Sequence, residues 1–307
     1  MSNEEQNPES APELSKSVYL ERPGFFESVR GAVLNIKLYD TFRKVSTGSA
    51  ASFFALFIFV IAIINTLDVS FSMSREFDTF ARFYAASLPE IRIENNNKAA
   101  AVTNEPMPVK AVYSDAAGNT TILVDTSGKT TDLKDYENAV LISDTAIIRK
   151  TPGGKVVQYP IKDFMQPGTI INKDSILGIR NMILAKFFPF LLLIGYVIVL
   201  FLLFIQAGFF SLAGMLMARY MKLDIYFTGM LNLVMYSFVP AVLSVTLLNI
   251  LGIFRFLNGI MGIDASRLVF MLVCYTIVVI YMSLALNTIK KNTAAAEDPD
   301  NLSGSDV

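Results

Sequence analysis

Histidine is absent from all 307 residues, and cysteine occurs once, at Cys274 inside an apolar run. The first absence removes the commonest general base, the usual metal ligand and the Ser/His and Cys/His nucleophile pairs. The second excludes a disulfide within the chain and a multi-cysteine metal site. Charge is scarce too: 17% of residues are charged and 53% hydrophobic, against about 25% and 45–50% in soluble domains. The net charge is −1 and no large basic face stands out, so nothing points to nucleic acid. Most hydrolase and metalloenzyme classes end here. The expectation is a chain with no cofactor, no metal site and no catalytic residues.

What is present is long sequence without charge. Residues 49–71, 187–217, 230–251 and 268–286 read as transmembrane helices, since about 20 residues at 1.5 Å each cover roughly 30 Å of hydrocarbon. The second run, of about 31 residues, would measure roughly 46 Å. Either it extends past the interface or it breaks near Gln206-Ala207-Gly208. A break would add a fifth crossing and put Lys290 and Lys291 outside, so four spans are preferred. Residues 1–48 are too long for a normal signal-peptide n-region, and the first span is read as uncleaved.

Around the spans the texture changes. Residues 1–24 and 291–307 read as disordered tails. Within 25–48, Phe25, Val29, Val33 and Ile36 recur at helical spacing among Arg30, Lys37, Arg43 and Lys44. This predicts a basic amphipathic helix, lying in the membrane surface or packed on the protein's own cytoplasmic loops. Residues 72–89 continue the first helix along Phe77, Phe80, Tyr84 and Leu88 until Pro89. Residues 90–172 read as a small all-β domain. Its short β-branched runs at 91–93, 109–113, 121–124, 139–142, 146–148 and 156–159 are separated by turn residues at 95–97, 117–119, 127–129 and 152–154, which predict hairpins. Residues 173–290 form a helical membrane domain, opened by an amphipathic helix over 173–186.

The fold class expected is thus an α-helical transmembrane bundle of about four spans with a small inserted extracytoplasmic all-β domain. Orientation follows from Arg43 and Lys44, from Arg219 and Lys222, and from Lys290 and Lys291, which fall on one side when four spans are threaded. That side is cytoplasmic, with both termini, and the β domain lies outside. Arg255 and Arg267 in the outer loop oppose this, as two residues against three clusters.

No ionisable group sits at the centre of a span, unlike the usual ion-coupled transporter. The spans do carry Gln206, Asn232, Tyr236, Pro240, Asn249 and Tyr275, which mark either interhelical packing or a polar pocket. Asn232, Tyr236 and Pro240 recur four apart on one face. Pro240 removes a backbone donor, so the carbonyl of Tyr236 needs a partner from elsewhere. Asp125-Thr126-Ser127-Gly128 lacks the uninterrupted Asp-Thr-Gly of an aspartic-protease loop and has no second copy, so it reads as a β-turn. Gly128-Lys129-Thr130 lacks the earlier glycine of a P-loop, position 123 being Leu. Asn119-Thr120-Thr121 fits a glycosylation sequon, which matters only where the modifying machinery exists.

The order of these parts resembles an uncharacterised family of bacterial integral membrane proteins, a domain of unknown function in which some members are labelled maltodextrin-utilisation proteins. The resemblance rests on Leu88-Pro89-Glu90-Ile91-Arg92-Ile93-Glu94-Asn95, on Ile122-Leu123-Val124-Asp125-Thr126 and on the C-terminal helices. The block from Met221 through Tyr236-Ser237-Phe238-Val239-Pro240 is similar to the Yip-type membrane domain. One departure stands in Asn96-Asn97-Lys98, where the family pattern has a glycine, although asparagine tolerates left-handed geometry. The resemblance implies the bacterial inner membrane and an external β domain, and supplies no catalytic residue. The expected activity is non-enzymatic: a binding, scaffold or accessory component whose partners are the bilayer and other membrane or envelope proteins. The alternative is a permease or transporter accessory subunit.

Overall fold

The computed structural model describes residues 23–115, 118–130, 132–261 and 263–297, and it divides into two compact units. One runs to Asn65 and resumes at Ile194; the other is Thr66–Leu193. Among the described residues, four helices are long and apolar enough to cross a membrane: Thr47–Ser87, Lys173–Tyr220, Phe227–Ile250 and Ala265–Ala294. Their composition points to a membrane location.

The first unit opens with α1 (Phe25–Leu34), a short 3-10 turn and α2 (Tyr39–Phe42). The single amphipathic helix expected over 25–48 is therefore not formed. Asn35 leaves helical geometry at φ −130° and its side chain accepts from the Lys37 amide at 3.2 Å, which is how asparagine competes with helix propagation. Gly31 sharpens the elbow, because a Cβ there would lie 2.7 Å from Leu38 Cδ1. The chain then enters α3 (Thr47–Ser87), which crosses into the second unit.

The second unit holds β1 (Glu90–Ile93), β2 (Ala99–Val102), β3 (Val109–Asp115), β4 (Gly118–Asp125), β5 (Ala139–Ser143), β6 (Ala146–Lys150), β7 (Val156–Pro160) and β8 (Ile170–Ile171). They form two sheets, ordered β2-β1-β8 and β3-β4-β5-β6-β7. The turn at 94–98 closes with Asn97 at φ +58°, so asparagine does supply the left-handed position. The turn at 127–129 is a correction: it does not make a hairpin, because β4 and β5 run parallel, Thr121 opposite Ala139 and Asp125 opposite Ser143. The intervening crossover covers one face of the sheet with Leu133, against Leu123 and Leu141, while Ile122 and Val124 face the other core. Burial on both faces accounts for the unbroken apolar run in β4. That larger core includes Ala81 and Tyr84 of α3 and Ile176 of α4 (Lys173–Met182), so the sheets complete their core on helices. Tyr84 donates to the Pro89 carbonyl at 3.0 Å, and Arg180 pairs with Asp78.

From α4 the chain passes through a π-helical turn, Ile183–Phe187, into α5 (Phe188–Tyr220). Pro189 brings no amide to the carbonyl four residues earlier, and the helix loosens there without breaking. Nor does it break at Gln206-Ala207-Gly208, so the long segment is one continuous helix. In the first unit follow α6 (Phe227–Ile250), α7 (Ile253–Met261) and α8 (Ile263–Glu297). Gly252, at φ +75°, ends α6 in the left-handed geometry that glycine adopts without strain. The sequence pattern does not predict the helix α7 between the third and fourth spans. Residues 291–297, expected as tail, continue α8 through Ala294-Ala295-Ala296, strong helix formers. The remaining tail residues, 1–22 and 298–307, lie outside the described residues.

Candidate functional site

The most heavily buried span is α6, with 56% of its apolar window covered against 6% for that of Lys173–Tyr220. The polar residues of α6 explain what it holds. Pro240 leaves the Tyr236 carbonyl without its helical partner, and the donor comes from Tyr39 in α2. The Tyr39 hydroxyl lies 2.9 Å from the Ala32 carbonyl and 3.3 Å from that of Tyr236, so one proton serves two acceptors. Burial drives the ionisation of Tyr39 far above the ordinary tyrosine range, against the opposing effect of a Ser237 hydrogen bond, and the hydroxyl stays a donor. The Tyr236 ring stacks between Phe42, centroids 3.8 Å apart and nearly parallel, and Phe53 at 4.8 Å.

Two more bonds fasten the same segment. Asn232 Nδ2 donates to the Val45 carbonyl at 2.7 Å, where the chain turns from α2 into α3. Tyr281 of α8 donates to the Val33 carbonyl at 2.9 Å. Val33 and Ala32 are among the last carbonyls of α1, which have no partner inside their own helix. Gly229 admits the Arg43 backbone, whose oxygen would stand 3.3 Å from an added Cβ. The N-terminal segment is thus seated on α6 and α8, while Phe26 and Leu34 remain exposed.

Of the residues singled out in the spans, the structure brings Asn232, Tyr236 and Pro240 together in this seat. Gln206 and Asn249 are half-buried elsewhere, and Tyr275 packs its ring 5.4 Å from Phe210. Sequence reasoning missed Tyr39, Phe42 and Phe53. Other polar side chains return to their own helix: Ser52 to Gly48, Asn65 to Ile61, Ser211 to Ala207, Ser237 to Leu233 and Ser283 to Val279. Among the described residues no group of three His, Cys, Asp or Glu side chains could hold a metal ion.

The shared proton has a measurable consequence. Tyr39→Phe should cost about 1 kcal/mol of stability. In a Pro240→Ala background the restored amide can satisfy the Tyr236 carbonyl, and the same substitution should cost less. Thermal unfolding of the four-member cycle in detergent measures the coupling, expected at about 0.5–1 kcal/mol. Additive costs would mean that Tyr39 serves Ala32 alone.

Residues 26–286, from the first turn of α1 into α8, match the family described as "Protein of unknown function (DUF1189)". The chain belongs to that family. No curated protein and no solved structure matches it. The DUF1189 match takes in both units and every residue of the seat, Tyr39, Phe42, Phe53, Asn232, Tyr236, Pro240 and Tyr281. It carries no assignment of sugar uptake or of a Yip-type block.

Proposed function

We propose that this chain is a non-enzymatic, integral inner-membrane protein that acts by binding a membrane or envelope partner, with its β unit as the presenting surface. The observation that carries the reading is how the polar groups of the spans are used. Ser211, Ser237, Asn232 Nδ2 and Tyr281 donate to the chain's own backbone, within a helix or at the seat, and so build packing rather than a lane for a solute. The β unit offers an open hollow of about 550 Å3, lined by Arg92, Glu94, Asn95, Asn96, Gly168 and Ile170. The reading of both termini as cytoplasmic rests on the basic residues flanking the spans, and the Arg43 backbone lying beside Gly229 agrees with it in bringing Arg43 and Lys44 to the α6 end that follows Arg219 and Lys222. The resemblance to maltodextrin-utilisation proteins makes a sugar-uptake assembly the first setting in which to seek the partner.

The second reading, a permease or transporter accessory subunit, draws on Asn232 Oδ1, which is buried without a hydrogen-bond partner among the described residues. Such an acceptor costs about 1–3 kcal/mol unless something donates to it. Cross-linking and co-purification of the full chain from native membranes separates the two. The expected result is recovery of a membrane or envelope protein that is lost when Glu94→Arg and Asn96→Arg alter the hollow. Solute uptake into liposomes by the purified chain, abolished by Asn232→Leu at equal expression, would instead establish the second reading.

A further inference from the structure

A groove opens between the ends of α5 and α8. Leu216, Met217, Tyr220 and Met221 line it from one side and Asn287 and Lys290 from the other, enclosing about 530 Å3. On both helices this is the level at which apolar sequence gives way to polar. Residues 187–217 lead up to Arg219, and residues 268–286 lead up to Asn287. The groove therefore has an apolar floor on one side of that level and the Lys290 ammonium on the other, with Arg219 and Lys291 next to the lining residues in sequence. Tyr220 is 91% exposed at the boundary itself, where aromatic rings gather at membrane interfaces.

The cations here are available. Arg43 and Lys44 are both held by Asp40, at 2.6 and 2.8 Å. By contrast, no ion pair among the described residues engages Arg219, Lys222, Lys290 or Lys291. The one carboxylate in the connection from α5 to α6 is Asp224, which is exposed. The negative end of α5 is also covered. Lys222 donates to the Arg219 carbonyl at 3.0 Å and Leu223 to that of Ala218 at 2.9 Å. This closure puts Lys222 at φ +60°, a position usually given to glycine, and so keeps a cation at the helix end.

We propose that this groove binds an anionic phospholipid, its phosphate held by Lys290 with Asn287 and Tyr220 and its acyl chains laid along Leu216 and Met217. Cationic grooves between membrane helices are suited to such headgroups because the charge sits at headgroup depth and the apolar wall continues into the hydrocarbon. The proposal rests on the membrane reading but not on the orientation, since a reconstituted bilayer has the same lipids in both leaflets.

The test uses the full chain in phosphatidylcholine bilayers containing a minority of phosphatidylglycerol, extracted and weighed intact by native mass spectrometry. The expected result is selective retention of phosphatidylglycerol. Lys290→Gln should weaken it about fivefold. Lys290→Arg should keep the lipid, and so should Lys155→Gln, which alters an exposed lysine of the β unit. Retention unchanged by Lys290→Gln overturns the site, as does equal loss in Lys290→Arg, which would make it a packing defect. Displacement by inorganic phosphate would mean a free-anion site. A severalfold rise on replacing Asp298 and Asp300 with Asn would make the chain's own acidic tail the occupant. A chain that fails to enter bilayers of either composition refutes the membrane reading itself, a result distinct from all of these.

Discussion

Tyr236→Ala is expected to lower the stability of the detergent-solubilised chain by about 3–5 kcal/mol, as removal of a buried aromatic usually does. The ring is fully buried between Phe42 and Phe53, and the three come from α6, α2 and α3, so its loss opens a cavity where three elements meet. Apolar area is only part of the cost, because stacked aromatic pairs add about 0.5–1.5 kcal/mol each beyond burial. The damage should be directional. The segment 25–45 is held by Tyr39, Val45 and Val33 contacts that each need the seat in register, and it should come away before the spans separate. Limited trypsin digestion then accelerates at Arg30 and Lys37, because cleavage follows local opening. Phe26→Ala, at a ring that is 84% exposed, is the control and should change neither the midpoint nor the digestion rate. An unaltered midpoint in Tyr236→Ala would show that the stack does not hold the segment.

How much of this was legible in the sequence differs from element to element. The four apolar runs were, because a stretch free of charge and long enough for hydrocarbon has few alternatives. Half of the seat was legible as well. Asn232, Tyr236 and Pro240 share a face by simple periodicity, and a proline inside a helix leaves a carbonyl seeking a donor. The donor was not legible. Tyr39 is 197 residues away, in a segment whose spacing reads as one amphipathic helix. Nothing in a local window tells whether Asn35 breaks such a helix, since asparagine's side chain can serve either geometry until packing decides. In the β unit the turn at 127–129 signals a reversal of direction but not its partner. The clue to the parallel pairing was the continuous Ile122-Leu123-Val124, which a half-exposed hairpin strand would have interrupted with polar residues. Strand β8, with two residues, carries no periodicity at all.

The same β4–β5 connection gives the second large effect. Asp125 is fully buried at the end of β4, and its carboxylate accepts from the Ser127 amide at 3.0 Å, the Ser127 hydroxyl at 2.6 Å and the Thr130 amide at 2.6 Å. All of this capacity is spent on closing the loop that starts the crossover, which is why the Asp-Thr-Ser-Gly sequence is a structural turn. Burial works against ionisation of Asp125, but the hydrogen bonds from Ser127 and Thr130 outweigh it and hold the pKa at about 2, below the ordinary 3.8. A carboxyl whose folded pKa lies below its unfolded one stabilises the fold above the unfolded value and loses that contribution as pH falls through the folded one. The β-sheet signal should therefore melt at a constant temperature down to about pH 4 and at falling temperature from there towards pH 2. Asp125→Ala strands three donors and should cost about 2–3 kcal/mol at neutral pH, with most of that acid sensitivity gone. A wild-type melting temperature as flat below pH 4 as above it would mean that the carboxylate does not hold the crossover.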